Sequence, residues 1–211
     1  MSGPREPVDL DAQVRTADPD RWLSSRFVAE ADRRADLIAL YAFEAELGAI
    51  PAKTSQPLLA EMRYAWWREH LDGVFSGDPR KGHPVLEALA LAVSRRGLAR
   101  APFETMLDAW IDQAHGREAD PSVLYGGLMD EAAKALGATA GRLDDGARLW
   151  GLIRSGEAKA ADALRPSVNR SLKSLPAAAF PAVAHLALRD VTEPEAVKRL
   201  RLIWASLRGR I

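Results

Sequence analysis

Asp108 and Asp112 stand four residues apart, a spacing that brings two carboxylates to one face of a helix and could suit a divalent cation. Glu104 and His115 fall on the same face, while Phe103, Met106, Leu107, Trp110 and Ala114 form the opposite one. The simpler reading of that division is the solvated side of an amphipathic helix, which leaves Asp108 and Asp112 as weak metal candidates. A second group of chemistry-bearing residues is Glu44, Glu46, Arg63, Trp66 and Trp67. Glu44 shares a line with Leu37, Leu40 and Tyr41, at the centre of an apolar stripe, whereas Glu46 faces nearly the opposite way. The two cannot chelate one ion together. A carboxylate facing the interior needs a cation, and Arg63 is the candidate partner for Glu44. The competing arrangement is a ligand or partner site that uses Glu46 and Arg63 beside the two tryptophans. Trp66 and Trp67 are adjacent, so they point about 100° apart on a helix and one of them can face outward. No residue is assigned as catalytic.

Other chemistries find little support. His70, His83, His115 and His185 lack metal-binding spacing, and His83-Pro84 reads as the start of a helix. No nucleophile elbow, Walker loop or dinucleotide fingerprint is present, and Gly126-Gly127 is too little for a phosphate loop. Lys plus Arg total 29, as do Asp plus Glu, so no net field draws the chain to nucleic acid. The absence of cysteine excludes disulfides and thiolate metal sites. Residues 1–9 contain no apolar core for a secretory signal, and no run reaches the roughly 20 apolar residues that span a bilayer. A cytoplasmic location is the expectation, with at most a peripheral membrane contact through the basic C-terminal run from Lys198 to Arg210.

The elements that must position these residues read as helices throughout. Residues 1–17 are polar with two prolines and are expected to form a flexible tail; residues 18–211 form the domain. Asp18-Pro19 is a start signal, and Asp32 is the expected cap of the helix through Leu47. Pro57, His83-Pro84, Pro102 and Asp120-Pro121 open further helices, with stops at Gly77, Gly97 and near Gly116. Thr192 to Glu195 reads as a capping box for the last helix. Strand signals are poor, so eight or nine helices form a single-domain, all-α bundle.

Four segments carry a resemblance. They are Asp20 to Phe27 with Arg33-Arg34 and Ala39 to Phe43; Glu61 to Asp72; Gly82 to Leu89; and the weaker Met106 to Asp112. In this order they resemble the squalene/phytoene synthase family over roughly residues 20–140. The resemblance implies an isoprenoid-synthase helical fold, here truncated. It also implies a Mg²⁺-held prenyl diphosphate gripped by two aspartate-rich helices. The positions matching the first aspartate run are Gly48, Ala49 and Ala52, which offer no ligand. Ala147 to Arg154 matches the second helix without paired aspartates after it. Phe43 to Ile50, with Glu46-Leu47 where the enzymes begin their acidic run, is most similar to the non-catalytic branch that contains the mitochondrial complex I assembly factor. That likeness implies a binding or assembly role, with a protein partner or a hydrophobic, isoprenoid-like ligand and no cofactor. The alternative is an active Mg²⁺-dependent prenyltransferase of the same family using displaced carboxylates.

Overall fold

The computed structural model describes residues 9–54, 56–139 and 142–211. Among them are twelve α-helices and no strand. The helices are α1 (Leu10–Ala17), α2 (Pro19–Ser25), α3 (Ala31–Gly48), α4 (Ile50–Lys53), α5 (Pro57–Ser76) and α6 (Pro84–Arg96). They continue as α7 (Ala101–Ala114), α8 (Pro121–Gly126), α9 (Met129–Ala135), α10 (Asp144–Arg154), α11 (Ala158–Ser171) and α12 (Glu195–Arg208). Three 3₁₀ segments, Leu172–Ser174, Ala177–Ala182 and Ala184–Ala187, link α11 towards α12.

The fold is organised around α3. Every residue from Asp36 to Glu44 is buried, so this helix is enclosed on all sides rather than laid on a surface. It touches α1, α2, α6, α7 and α9. Phe43 packs against both Trp67 of α5 and Phe103 of α7, each with ring centroids 5.4 Å apart. Asp36, 2% exposed, accepts from Arg96 Nε at 2.7 Å and from Arg95 at 3.2 Å, pinning α3 to the last turn of α6. A second unit forms where α8 crosses α10. A Cβ on Gly126 would lie 2.7 Å from Cα of Ala147, and one on Gly151 would lie 2.8 Å from the Pro121 carbonyl carbon. These two glycines let the backbones meet at that crossing.

Several helix signals are realised. Asp18 accepts from the Arg21 amide ahead of Pro19, His83 accepts from the Leu86 amide ahead of Pro84, and Gly77 closes α5 at φ 83°. Others are not. The expected tail does not hold for residues 10–17, which form α1; Asp9 caps it, Val14 is fully buried, and Asp11 bonds Trp22 Nε1 at 2.8 Å. Residues 1–8 of that tail lie outside the described residues. Glu30, not Asp32, precedes α3, with no side-chain cap. The capping box does not form either: Pro194 is the N-cap of α12, and the Thr192 amide bonds Asp190 instead. Beyond the end of α3 at Gly48 stands Pro51. It sits in the first turn of the short α4, where its missing N–H leaves no bond unmade.

The segment Ala177–Ala187 was not anticipated. Its stretch from Ala179 to Leu186 runs buried through the core, satisfied by its own short turns and by side chains from neighbours. Arg165 donates to the carbonyls of Leu186 (2.9 Å) and Leu188 (2.8 Å), and Ser24 Oγ donates to that of Pro181.

Candidate functional site

Two hollows flank the C-terminal end of α3. The first is a cavity of about 320 Å³ between that end and α7, α8 and α10. Gly48 and Ala49 line it on one side and Arg154 of α10 on the other. Its floor is a buried charge cluster. Arg21 of α2 donates through Nε to Asp18 at 2.7 Å and pairs through Nη1 with Glu44. The same guanidinium lies 4.7 Å from the Tyr41 ring centroid. The partner of Glu44 is therefore Arg21 and not Arg63. The sequence singled out the segment containing Arg21 but gave that residue no task; Asp18 was read only as a helix start, Tyr41 as part of an apolar stripe and Arg154 as the end of a matching helix. The available signal was a cation inside a run read as a helix start and as part of the family likeness.

Electrostatics in this cluster follow from dryness. Burial pushes the Glu44 carboxyl up to about 7, against the pull of Arg21 that favours its charged form. Burial acts the same way on Asp18, but Arg21, through charge and two hydrogen bonds, holds that carboxyl below its ordinary range. Arg21 itself is kept firmly protonated by its two carboxylates. Burial raises the Tyr41 hydroxyl, which has no hydrogen-bond partner. Behind the cluster, His185 sits with its ring 4.7 Å from Trp150, both ring nitrogens unpartnered, and burial drives its pKa down to about 3.

The donor set does not fit Mg²⁺ and a diphosphate. Mg²⁺ takes oxygen ligands, and of the α3 residues that line this cavity, Glu44, Ala45 and Gly48, only Glu44 carries a carboxylate, while Ala49 after them offers none. A Cβ at Gly48 would meet only ordinary contact with Trp110, at 3.7 Å, so the missing acid is not a matter of space. Ala52 lies on α4, exposed to solvent. On the α10 side the cavity presents the guanidinium of Arg154, which lies 5.1 Å from the Tyr125 ring. The two carboxylates present, Asp18 and Glu44, are held by Arg21. Among the described residues no three His, Asp or Glu side chains converge where an ion could be held.

The second hollow is an open groove of about 500 Å³ between α3, α4 and α5. Here the structure brings together four of the five residues singled out from sequence: Glu46, Arg63, Trp66 and Trp67 all line it, with Lys53 and His83. Glu46 is half-buried, accepts from Gln13 Nε2 at 2.6 Å and lies 4.0 Å from Lys53 Nζ. Trp67 is buried, packed edge-on to Trp66 at 5.3 Å, and Trp66 is half-buried and stacked on His70 at 4.0 Å. His83 touches both indoles, at 5.3 and 5.2 Å, and burial lowers its pKa. Leu58, Leu59 and Met62 stand exposed on the same helix, giving the groove an apolar rim with charges at its ends.

Asp108 and Asp112 are elsewhere and apart in task. Asp108 pairs with Arg68, and Asp112 accepts from Arg117 Nε at 2.8 Å. Each carboxylate is paired with its own arginine at the surface. His115, on the same side, bonds Glu61 at 2.7 Å.

The all-α fold of the described residues is consistent with the isoprenoid-synthase type. The profile of the squalene/phytoene synthase family matches residues 14–126, more than half of the chain, and the protein belongs to that family. No curated protein and no solved structure matches it significantly.

Proposed function

We propose that the protein is a binding or assembly factor built on the squalene/phytoene synthase scaffold, without prenyl-transfer chemistry. The observation that carries this reading is the cavity beside Gly48. Ionising an allylic diphosphate requires cations held by carboxylates of two facing helices. In this chain one face offers Gly48 and Ala49, the other offers Arg154, and the remaining acids are consumed by Arg21. An internal ion cluster stands where the reaction would need exchangeable metal. The resemblance of Phe43 to Ile50 to the complex I assembly-factor branch supports a role in respiratory-complex biogenesis.

The working surface in this reading is the groove of Glu46, Arg63, Trp66 and Trp67. Aromatic side chains and arginine concentrate binding energy at protein interfaces, and the exposed Leu58, Leu59 and Met62 extend the apolar contact. A hydrophobic helix or an isoprenoid-like ligand with a polar end suits that combination of an indole floor and charged ends.

Incubation of the protein with farnesyl or geranylgeranyl diphosphate and Mg²⁺ should release no pyrophosphate above the background without protein. Measurable turnover would overturn the reading. Affinity capture from the native cell should recover a partner, and that partner should be lost with Arg63→Glu or Trp66→Ala. Recovery unchanged by both variants would remove the groove from the proposal.

A further inference from the structure

The last helix has two apolar faces. One is spent on the fold: Leu202 and Ala205 are buried, and Lys198 donates to Asp20 Oδ1 at 2.6 Å and to the Val191 carbonyl. That buried pair fixes α12 against α2, and its side chains are almost wholly enclosed. The other face is bare. Leu200, Ile203, Trp204 and Leu207 are 59, 42, 56 and 76% exposed, and Val197 adjoins them. Five large apolar side chains on one stripe of one helix exceed the scattered exposed apolar residues of an ordinary surface.

Cations border this stripe on both sides. Arg199 flanks it on one side, Arg201 and Arg208 on the other, and Arg210 follows the helix. The acids nearby, Glu193 and Glu195, stand at the N-terminal end, where they pair with Arg201 and Arg199. The C-terminal half keeps an excess of positive charge. The Arg208 guanidinium lies 4.5 Å from the Trp204 ring centroid, an amphipathic pair suited to a water–lipid boundary. Beside the stripe lies a groove of about 570 Å³ whose wall carries Arg201, Arg208 and Arg210, wide enough for an anionic head group.

We propose that α12 seats the protein on an anionic lipid bilayer. Its 14 residues run about 21 Å, too short to span, and no described helix is long and apolar enough to cross a membrane. A helix with an apolar stripe bordered by arginine instead lies in the interfacial plane, its apolar side chains among the acyl chains and its cations at the phosphates. A second copy of the chain is the poorer occupant. Val197, Leu200, Trp204 and Leu207 follow a three-four-three spacing, which makes Arg201 and Arg208 the flanking positions of any paired helix. Two copies packed antiparallel on this stripe would place those like charges against each other. The proposal does not depend on the groove at Trp66 or on the absence of prenyl transfer.

Flotation of the full chain with vesicles tests it. The protein should rise with mixed phosphatidylcholine–phosphatidylglycerol vesicles, remain behind with pure phosphatidylcholine, and be released at about 0.5 M salt, where screening is short-ranged. The double variant Leu200→Glu, Leu207→Glu should lose at least about tenfold in partitioning. Both side chains are exposed, so its unfolding midpoint should match the parent. Anionic vesicles should also blue-shift tryptophan emission, and the shift should vanish in Trp204→Phe. Equal behaviour towards the two vesicle types, or a double variant that still floats, would overturn the proposal. So would a dimer in light scattering that the double variant splits, since the stripe would then join copies.

Discussion

Arg21 is the residue on which the interior most depends. It is the cation for both Asp18 and Glu44, and removing one member of a buried ion cluster leaves uncompensated charge. Arg21→Ala should lower unfolding stability by about 3–5 kcal/mol in chemical denaturation. Had Arg63 been the partner of Glu44, as the helix pattern suggested, Arg63→Ala would carry that loss; with Arg63 exposed on a groove it should change stability by under about 1 kcal/mol. His185 supplies a pH test. Its folded pKa of about 3 lies below the ordinary 6.5, so only the unfolded chain takes up this proton as the solution is acidified. Stability is therefore complete above pH 6.5 and falls by about 1.4 kcal/mol per pH unit below it. His185→Leu should gain on the parent by that slope between pH 6.5 and 4, and curves that stay parallel would refute the assignment. Glu44 acts in the opposite sense. Its folded pKa, raised from 4.5 to about 7, means the native state holds a proton the unfolded chain releases, so its contribution weakens as pH rises through that window.

At the scale of elements, two joints decide the packing. The α8–α10 crossing depends on bare backbone at Gly126 and Gly151. Gly151→Ala drives a methyl into the Pro121–Ser122 peptide and should destabilise by about 1–3 kcal/mol, despite alanine's better helix propensity. The sequence marked Gly126-Gly127 as a glycine pair too short for a phosphate loop; the contact of Gly126 with Ala147 on another helix was not readable. The second joint is α1. Read as a polar tail, residues 10–17 should be dispensable. As a helix with Val14 buried and Asp11 bound to Arg26 at 2.5 Å and to Trp22, they should not be. Val14→Asp should unfold the protein at a lower denaturant midpoint, and an unchanged midpoint would restore the tail. The misreading has a plain cause: one buried valine in an eight-residue helix makes no periodic stripe.

At the scale of the whole molecule, the proposed reading separates the family's scaffold from its chemistry. The enclosed α3 and the facing α10 leave between them a cavity without free carboxylates. The cavity is instead closed on itself by charge: two arginines and two carboxylates of this one chain. Such a cavity has little attraction for a further dication, so Mg²⁺ at physiological concentration should leave the thermal midpoint unchanged, whereas a true diphosphate–metal site would shift it by mass action. Function in the proposed reading moves outward to surfaces, to the groove at Trp66 and to the outer stripe of α12.

The order of amino acids by itself determined the helical class, most helix starts and the loss of oxygen donors at positions 48 and 52, because caps, proline and glycine act within a few residues of chain. It also offered Glu46 and Arg63 beside Trp66 and Trp67 as the arrangement competing with a Glu44–Arg63 pair, because the three residues of α5 lie within about one helical turn of each other. Tertiary structure alone decided that Arg21 answers Glu44, that Arg154 faces Gly48, that Arg68 claims Asp108, and that the stretch from Ala179 to Leu186 runs through the core. Those outcomes join residues far apart in the chain, and which distant cation reaches a buried carboxylate is fixed by how helices cross, not by the spacing within any one of them.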